Sequence, residues 1–363
     1  MIYLACFIFA FSVIQLLVAL SNLLFNEKLE QANCNFEGLV SVLIPARNEE
    51  KNIGNLLSDL QKQDYVNIEI IVFDDQSTDN TANIVNEFTA NDKRIKLIQA
   101  VSLPEGWLGK NYGCYNLAKQ AKGEYILFLD ADVRIQNNVI LDAIALAEKQ
   151  KLGLLSIFPQ QQMLSMGERL TVPNMNYILL SLLPLGLVLK SKLPSLAAAN
   201  GQFMLFNSKV YTEMNPHEKF KNNKVEDIEI ARYFKKQSIA VACLNGNNSI
   251  SCRMYSGFGE AVNGFSKNVI IFFGNSYFAA SMFWLVTSVG FIPIFVSLGN
   301  AMLIFYLFIV ILTRIIISFV SKQNVLLNCL FILPQQMTIG LFIYKAIENK
   351  FKKQFEWKGR NIS

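Results

Sequence analysis

The chain has 363 residues, a formal net charge of +5, six cysteines and a single histidine, and 52% of its residues are hydrophobic. This length accommodates one large domain with additional segments, or two domains. The polar middle lacks a basic stripe with interleaved aromatic residues and the cysteines form no CxxC pair, so the composition argues against nucleic-acid binding, a disulfide framework and a zinc site.

Residues 2–25 form an uncharged apolar run that is long enough to cross a bilayer. No basic residue precedes the run, and it is longer than the apolar region of a usual signal peptide. We therefore predict that residues 1–25 are an uncleaved transmembrane anchor.

Residues 38–255 alternate between short apolar runs and helix-like segments. The apolar runs, which predict strands, cover residues 39–45, 68–74, 95–99 and 125–130. The segments that predict helices cover residues 49–63, 78–88 and 110–121. This alternation predicts an α/β fold with a mostly parallel sheet that is covered on both faces. The histidine, His217, lies in the sequence NPHEKF, which predicts a loop with a surface histidine.

Polar loops follow three of these strands, with the sequences PARNEE, DDQSTD and DADV. In a parallel sheet such loops gather at the carboxyl edge, where ligands bind. Asp130 and Asp132 end the last strand, where side-chain alternation would point both the same way. Paired carboxylates need neutralisation, and Mg²⁺ binds one or two carboxylates together with phosphate oxygens. We therefore expect a metal-bridged, phosphate-bearing ligand at this edge; a solvated turn is the alternative for the DAD sequence taken alone.

Four segments occur in the order and spacing found in family 2 glycosyltransferases: SVLIPARNEEKNIGNLL, VFDDQSTDNT, LFLDADV and VEDIEIARYF. Residues 38–255 thus resemble a domain of this family, which implies the GT-A fold. The segments GWLGKNYGC, RMYSGF and EWKGR resemble the membrane-anchored subgroup that includes bacterial carotenoid-acid (diaponeurosporenoate-type) and hopanoid-associated glycosyltransferases. The resemblance implies a nucleotide-sugar donor and a Mg²⁺ or Mn²⁺ cofactor.

The resemblance also implies roles for individual residues. The expected donor-binding residues are Pro45, Glu49 and Asp75 at the base and ribose, Lys110 near the diphosphate, and Asp130 and Asp132 at the sugar nucleotide and its metal, with Asp132 as the direct metal ligand. Asp227, in the pair Glu226–Asp227, matches the general base. Arg253 matches the arginine of a donor-side QxxRW motif. Ile250 and Met254 replace the glutamine and the tryptophan of that motif, which puts processive polymer synthesis in doubt.

These roles describe an inverting transfer. A divalent metal at Asp132, helped by Lys110 and Arg253, would stabilise the charge of the leaving nucleoside diphosphate. An acceptor hydroxyl would attack the anomeric carbon from the opposite face while Asp227 takes its proton. A carboxylate acceptor would arrive ionised and would need Asp227 less. Acidic residues also favour helix N-termini, which is the alternative explanation for Glu226 and Asp227.

Residues 172–190 are apolar but interrupt the catalytic domain. If they crossed the bilayer, Asp132 and Asp227 would lie on opposite sides of the membrane, so we predict an interfacial or re-entrant segment. Gly201 and Gln202 follow it and are expected on the acceptor side. Residues 256–268 are a second candidate interfacial segment. Ordinary core packing is the alternative for both segments.

Residues 269–348 contain three apolar runs that are each long enough to span a membrane, at 269–296, 298–320 and 325–347. The second run carries Arg314, which we expect to face protein or water rather than lipid. A basic tail, residues 349–363, follows and favours a cytoplasmic C-terminus. Because a cytoplasmic catalytic domain and a cytoplasmic tail require an even number of spans between them, we predict that 325–347 is re-entrant. Three tail residues could then close over the site: Trp357, Lys358 and Arg360.

The sequence therefore predicts a multi-pass protein of the inner (cytoplasmic) membrane with its catalytic domain in the cytoplasm. It would transfer a sugar from a nucleotide-sugar donor to a lipid-like acceptor, such as a carotenoid, a hopanoid or another glycolipid precursor. The alternatives are a polyprenyl-phosphate glycosyltransferase and a non-catalytic membrane assembly protein with a GT-A domain. The oligomeric state is left open.

Overall fold

The structure, a computed structural model, describes residues 1–25, 29, 36–136, 138–352, 356–357 and 360–361. The chain forms two compact units. We call them the sheet unit, which comprises Glu27–Gln160 and Gly186–Cys252, and the helical unit, which comprises Met1–Asn26, Gln161–Leu185 and Arg253–Ser363.

The strands are, in chain order, β1 (Val40–Ala46), β2 (Ile68–Asp74), β3 (Ile95–Gln99), β4 (Tyr125–Leu129), β5 (Val133–Ile135), β6 (Leu154–Phe158), β7 (Gln160–Gln161), β8 (Phe203–Asn207), β9 (Val241–Asn245), β10 (Ile250–Cys252), β11 (Glu356–Trp357) and β12 (Arg360–Asn361). The α-helices are α1 (Ile2–Leu24), α2 (Ile53–Gln61), α3 (Thr81–Asn91), α4 (Gly109–Gln120), α5 (Val139–Lys149), α6 (Met166–Thr171), α7 (Pro173–Leu182), α8 (Gly186–Lys190), α9 (Ser208–Met214), α10 (Pro216–Lys219), α11 (Glu226–Lys236), α12 (Phe258–Asn268), α13 (Tyr277–Val289), α14 (Phe291–Val320), α15 (Val325–Leu330) and α16 (Ile332–Lys352). Short 3-10 helices cover Pro194–Leu196 and Ile271–Phe273. The predicted strands and helices of the polar middle correspond to β1 to β4 and α2 to α4, within a few residues at each end.

Seven strands of the sheet unit form one sheet in the order β3-β2-β1-β4-β8-β6-β9. β1 runs parallel to both β2 and β4, and β2 runs parallel to β3. β8 runs antiparallel to β4 and β6, whereas β6 and β9 are parallel. The predicted α/β class with a mostly parallel sheet is confirmed. β5 and β10 pair antiparallel in a second, three-stranded sheet.

The sequence of β1, VSVLIPA, produces a strand that is buried on both faces. Val40, Val42 and Ile44 project from one face and share an apolar cluster with Leu56 and Leu57 of α2. Leu43, which projects from the opposite face of the strand, is also fully buried, so that face is covered as well. Burying a Val, Leu or Ile side chain contributes about 1.5–3 kcal/mol. Continuous apolar runs are therefore favoured in this parallel, doubly covered sheet.

The loops that follow β1 and β2 are joined to each other. The N–H of Asp75 donates to the carbonyl of Ala46 at 2.8 Å. The N–H of Asn48 donates to Ser77 Oγ at 2.9 Å, and the Asn48 side-chain oxygen accepts from the N–H of Thr78 at 2.8 Å. Asn48 has a φ of 52°, a left-handed conformation that asparagine tolerates better than most residues. Two of the predicted ligand loops therefore form one connected rim at the carboxyl edge of the sheet.

The helical unit is organised by the packing of α1 along α14. Its apolar cluster consists of Ala5, Ile8, Ile294 and Tyr306. Within the described part of the chain, α1 and the stretch Tyr277–Val320 are the two helical stretches that are long and apolar enough to cross a membrane.

The longer of these stretches is not a single straight helix. It contains the junction between α13 and α14, and Gly299 within α14 has a φ of 79° and a ψ of −178°. This conformation is accessible almost exclusively to glycine. The third apolar run, at 325–347, is divided between α15 and α16. It is not among the candidate membrane-crossing stretches of the described chain.

Residues 172–190 form two short helices, α7 and α8. The C-terminal end of α7 is tied to α1 through Asn22, whose Nδ2 donates to the carbonyls of Leu180 at 3.0 Å and Leu183 at 2.9 Å. The N–H of Leu185 donates back to the Asn22 side-chain oxygen at 2.7 Å. Neither helix has the length of a span. Their proposed place at the membrane interface stays a prediction, as does that of α12 in segment 256–268.

His217 corrects the sequence analysis. The predicted surface position is wrong, because His217 lies at the first turn of α10 with only 2% of its surface exposed. Its Nδ1 hydrogen-bonds with the Tyr211 hydroxyl at 2.6 Å, and its ring packs 4.8 Å from that of Phe128. Burial lowers the pKa of His217 to about 3. It is therefore a neutral core residue of the sheet unit.

Candidate functional site

Lys110, on the first turn of α4, is the central cation of the site. Its Nζ lies 2.8 Å from Asp130 Oδ1 and 3.6 Å from Glu226 Oε1. Burial opposes the charge, but the two carboxylates raise the pKa of Lys110 well above its ordinary value. The lysine is therefore cationic at neutral pH and connects the end of β4 to the start of α11.

Asp227 is held by backbone amides at the N-terminus of α11. Its Oδ2 accepts from the N–H of Gly201 at 2.9 Å, and its Oδ1 accepts from the N–H of Ile228 at 2.8 Å. Burial raises the pKa of Glu226 to about 7, against the opposing effect of Lys110. Burial also raises the pKa of Asp227, while Lys110 and the two amides oppose it. Near neutral pH, Glu226 is therefore partly protonated, and the amide donors favour the ionised form of Asp227.

Asp130 and Asp132 lie in the turn between β4 and β5. β4 ends at Leu129, so the strand predicted to reach residue 130 is one residue shorter than expected. The N–H of Asp130 donates to the carbonyl of Gln202 at 3.2 Å, and its carbonyl accepts from the N–H of Val133 at 3.1 Å. These bonds fix the turn against the loop before β8. The expectation that strand alternation orients both carboxylates is wrong, because the pair is not in a strand.

The donor set at this turn fits a hard divalent cation that is completed by a ligand. Among the described residues, no three His, Cys, Asp or Glu side chains come together as a closed metal cage. Mg²⁺ and Mn²⁺ prefer oxygen, and Mg²⁺ commonly takes one or two carboxylates plus waters and phosphate oxygens. Lys110 already neutralises Asp130. Asp132, beside the Cys252 thiol, is therefore the better candidate ligand of the two.

The predicted acceptor-side residues lie against the charged cluster. A Cβ built at Gly201 would be 2.9 Å from Lys110 Nζ and 3.7 Å from Asp227 Oδ2, so no larger residue fits without displacement. Gln202 is buried, and its Nε2 donates to Cys252 Sγ at 2.8 Å. The structure thus brings the segment before β8 together with the acids and Lys110.

Pro45, Glu49 and Asp75 lie at or just beyond the carboxyl ends of β1 and β2. The N–H of Glu49 donates to Thr81 Oγ1 at 2.8 Å, and its carboxylate accepts from Asn52 Nδ2 at 2.9 Å. Asp75 is buried, with 4% of its surface exposed. The three predicted base and ribose residues therefore share the edge of the sheet that carries the DAD turn, and their roles stay predictions.

Arg253, predicted to act on the donor side, belongs to the helical unit. Its Nη2 lies 2.7 Å from Glu168 Oε1. Glu168 is fully buried and also forms a capping box with Ser165 at the start of α6. Burial opposes the ionised form, but hydrogen bonds from Arg253 and from backbone amides lower the pKa of Glu168 below its ordinary value. The structure thus gives Arg253 a carboxylate partner, and its donor-side role stays a prediction.

Asn111 is a residue of the site that the sequence analysis missed. It follows Lys110 on α4 and is buried, with 1% of its surface exposed. Its Nδ2 donates to the carbonyls of Phe220 at 2.9 Å, Lys221 at 3.3 Å and Asn223 at 2.9 Å. The asparagine therefore holds the loop that leads into the Glu226–Asp227 pair. Its position inside the segment GWLGKNYGC was the signal by which the sequence analysis could have found it.

The predicted tail gate is only partly within the described chain. β11 and β12 pair antiparallel, with Trp357 opposite Arg360. Lys358 lies outside the described residues, as do the side chains of Trp357 and Arg360. The gate stays a prediction.

Residues 41–214 match the sequence profile of the family described as Glycosyl transferase family 2. A 4,4'-diaponeurosporenoate glycosyltransferase from Staphylococcus haemolyticus (strain JCSC1435) is 31% identical over 235 residues, which cover 64% of this chain and 61% of that protein. Its counterpart from Staphylococcus aureus (strain MRSA252) is 28% identical over 298 residues, which cover 77% of this chain and 75% of that protein. The chain thus matches less than two thirds of the length of the first relative.

Among solved structures, a mannosyltransferase from Pyrobaculum calidifontis in complex with GDP-Man and Mn²⁺ superimposes with a TM-score of 0.58. The match covers 96% of this chain and 98% of that one at 14% identity, so it speaks for the fold alone. The GT-A fold expected from the sequence is confirmed. Residues 41–214 therefore resemble a family 2 glycosyltransferase domain, and the chain is similar to the diaponeurosporenoate glycosyltransferases.

Proposed function

We propose that this protein is a membrane-bound, inverting glycosyltransferase that moves a sugar from a nucleoside-diphosphate donor to a lipid-like acceptor, with a carotenoid acid as the favoured candidate. The observation that carries the proposal is the cluster in which Lys110 lies between Asp130 and Glu226 while Asp227 is held by the Gly201 amide. This cluster lies at the sheet edge where ligands of α/β folds bind.

The donor diphosphate would lie beside the DAD turn. Asp132, with Asp130 in support, would hold a divalent cation, and the Mn²⁺ in the Pyrobaculum relative supports a metal in a protein of this fold. When bound, such a cation neutralises negative charge on the diphosphate as the glycosidic bond breaks. Lys110 supplies a fixed positive charge close to the same turn, 2.8 Å from Asp130. Because that lysine is already oriented by two acids, little reorganisation is needed when charge develops.

The acceptor oxygen would attack the anomeric carbon on the face opposite the diphosphate, which takes the electron pair of the broken carbon–oxygen bond. For a hydroxyl acceptor, Asp227 would accept the proton that is released. Its two amide donors orient the carboxylate and favour its ionised form. For a carboxylate acceptor no proton has to be removed. Asp227 would then act mainly through position and charge.

The proposed acceptor class rests on the relatives and on the apolar helices. The two Staphylococcus proteins are named for 4,4'-diaponeurosporenoate, a carotenoid acid that would partition into lipid. The two candidate membrane-crossing stretches, α1 and Tyr277–Val320, supply a reason for such an acceptor to reach this chain. We propose that the sheet unit faces the cytoplasm, where nucleotide sugars are made.

Release of nucleoside diphosphate by the purified full chain in lipid tests the proposal. UDP- and GDP-sugars are supplied with a carotenoid acid and with Mg²⁺ or Mn²⁺. We expect metal-dependent release with at least one donor, and a loss of about 10²–10⁴-fold in kcat/KM for Asp132→Asn. A matched control is Asp92→Asn, because Asp92 pairs with the partly exposed Arg94 just before the amino end of β3. If wild type and Asp132→Asn behave alike over the whole panel of donors, the catalytic proposal fails.

A further inference from the structure

Arg314 is a buried charged residue that the proposed transfer does not use. It lies on α14, within the candidate membrane-crossing stretch, and only 3% of its surface is exposed. Bringing a guanidinium into such surroundings is costly unless an anion or polar partners compensate it. Its partners therefore indicate what the residue is for.

The partners of Arg314 leave one edge of the guanidinium unsatisfied. Its Cζ lies 3.5 Å from the centroid of the Tyr177 ring, and Nη1 reaches Gln335 Oε1 at 3.4 Å. Nε and Nη2, which form the opposite edge, have no hydrogen-bond partner among the described residues. No Asp or Glu side chain of the described chain lies within 4 Å of this guanidinium.

The residues around Arg314 are themselves fixed by hydrogen bonds. Gln335 is fully buried, and its Nε2 donates to the carbonyl of Arg169 at 3.0 Å and to Asn328 Oδ1 at 3.1 Å. Asn328 Nδ2 in turn donates to Gln323 Oε1 at 2.9 Å, while the buried Gln323 Nε2 has no partner in the described structure. Within the described chain, this polar network thus contains a second unpaired buried donor, Gln323 Nε2, and its three side chains carry no negative charge that could balance Arg314.

We propose that Arg314 binds the anionic end of an amphiphile, a carboxylate or a phosphate that carries an apolar chain. The Nε and Nη2 edge of a guanidinium matches two oxygens of such a group. We infer the apolar chain of the ligand from the surroundings of Arg314, because nearby side chains of α14 are exposed and apolar, including Ile311, Ile315 and Phe319. The proposal does not depend on the glycosyltransferase reaction, since it concerns binding without a sugar nucleotide.

Thermal unfolding of the full chain in a neutral detergent tests this site with oleate, oleyl alcohol, monooleoyl phosphatidic acid and inorganic phosphate as probes. We expect oleate and the lipid phosphate to raise the midpoint saturably, and oleyl alcohol and inorganic phosphate to leave it unchanged. For Arg314→Gln we expect the apparent Kd for oleate to rise at least tenfold. Lys345→Gln is the matched control, because this partly exposed lysine of the same unit pairs with Glu348.

Equal stabilisation of wild type and Arg314→Gln by oleate would overturn the proposal and leave Arg314 a purely structural residue. Equal stabilisation by oleyl alcohol, or by inorganic phosphate, would also overturn it. If Arg314→Gln does not fold, a photoreactive fatty acid is cross-linked to the wild-type chain. Labelling of α14 or of the segment 323–335 that oleate removes, and oleyl alcohol does not, supports the site. Labelling elsewhere contradicts it.

Discussion

Gly201 is the residue on which the spacing of the charged cluster depends. An added Cβ would meet Lys110 Nζ at 2.9 Å and would approach Asp227 Oδ2 at 3.7 Å. We therefore expect Gly201→Ala to displace the Lys110 ammonium and to lower kcat/KM by up to about 10²-fold, the cost of a displacement of about 1 Å at a catalytic group. Steady-state kinetics check this. Gly259→Ala is the control, because a Cβ at Gly259 meets no atom within 4 Å, and an unaffected Gly201→Ala enzyme would contradict the prediction.

The acid pair predicts how activity with a hydroxyl acceptor depends on pH. Burial raises the pKa of Glu226 to about 7 and also raises that of Asp227, and the base must be ionised to work. Activity should therefore rise as the pH increases through the raised pKa of Asp227, the proposed base. Lys110 opposes the rise in this pKa, so in Lys110→Gln the pKa of Asp227 should increase further and the acid limb should move to higher pH.

The pH–rate profiles of wild type and Lys110→Gln measure this shift, and an acid limb that does not move would contradict the prediction. Glu229→Gln is the control on the helix that carries Asp227, because Glu229 pairs with Arg232 and has no contact with the cluster in the described structure. We expect its profile to match that of wild type. A Glu226→Gln enzyme that is inactive at every pH would instead identify Glu226 as the base.

At the residue scale, the sequence identified charged residues of the site but did not reveal which other side chains are buried. Asp130 could be selected because its motif places two acids at the end of a predicted strand, whereas Lys110 and Asp227 were selected from the family resemblance. Nothing in NPHEKF reveals that His217 is buried, since the aromatic neighbours that cover it come from elsewhere in the chain. Asn111 was missed for the same reason, because its three carbonyl partners lie about a hundred residues away.

At the scale of elements, Asn111 of helix α4 holds the loop of residues 220–223 that precedes α11. In Asn111→Ala the carbonyls of residues 220, 221 and 223 lose a buried donor. We expect a loss of about 1–3 kcal/mol in the free energy of unfolding and faster amide exchange in residues 220–225. Urea unfolding and hydrogen exchange measure the two effects. Asn116→Ala, on the same helix and bonded only locally to the carbonyl of Tyr112, should change neither.

At the element scale, apolar runs bounded by polar loops were sufficient to predict β1 to β4. The direction of β8 could not be predicted, because a strand's apolar pattern is the same whichever way it runs. The end of β4 differed by one residue, because a turn hydrogen bond from Val133 to Asp130 outweighs the strand pattern. Because Asp130 therefore lies in a turn, strand alternation does not orient Asp130 and Asp132.

For the whole molecule, the side of the membrane that carries the tail is the decisive prediction. We expect a reporter fused after residue 363 to be active in the cytoplasm, because the basic tail disfavours translocation. A fusion after residue 322, beyond the predicted runs 269–296 and 298–320, should give the same result if both runs cross and 325–347 does not. An external C-terminus would contradict the re-entrant assignment and the tail gate of Trp357, Lys358 and Arg360. Alkaline phosphatase and fluorescent-protein fusions measure both positions.

For the whole molecule, the sequence predicted an α/β domain and apolar helices, but it did not predict which segments belong to the sheet unit and which to the helical unit. The helical unit draws on three separate segments, including Gln161–Leu185 from the middle of the chain. Hydropathy alone does not assign this segment to the helical unit, because its buried polar residues form hydrogen bonds with distant parts of the chain. Asn174 donates to the carbonyl of Gln335 at 3.0 Å and to Thr338 Oγ1 at 2.6 Å, contacts that no local pattern encodes.

The hydrogen bonds of Asn22 impose an order on biosynthesis. Its partners at Leu180 and Leu183 follow it by 158 and 161 residues. At about 5–20 residues per second, a ribosome needs roughly 8–30 s to supply them. During that interval α1 is synthesised with the polar side chains of Gln15 and Asn22 unmatched, and the sheet unit is still incomplete. The polar side chains of α1 therefore have to be protected until α7 has been synthesised.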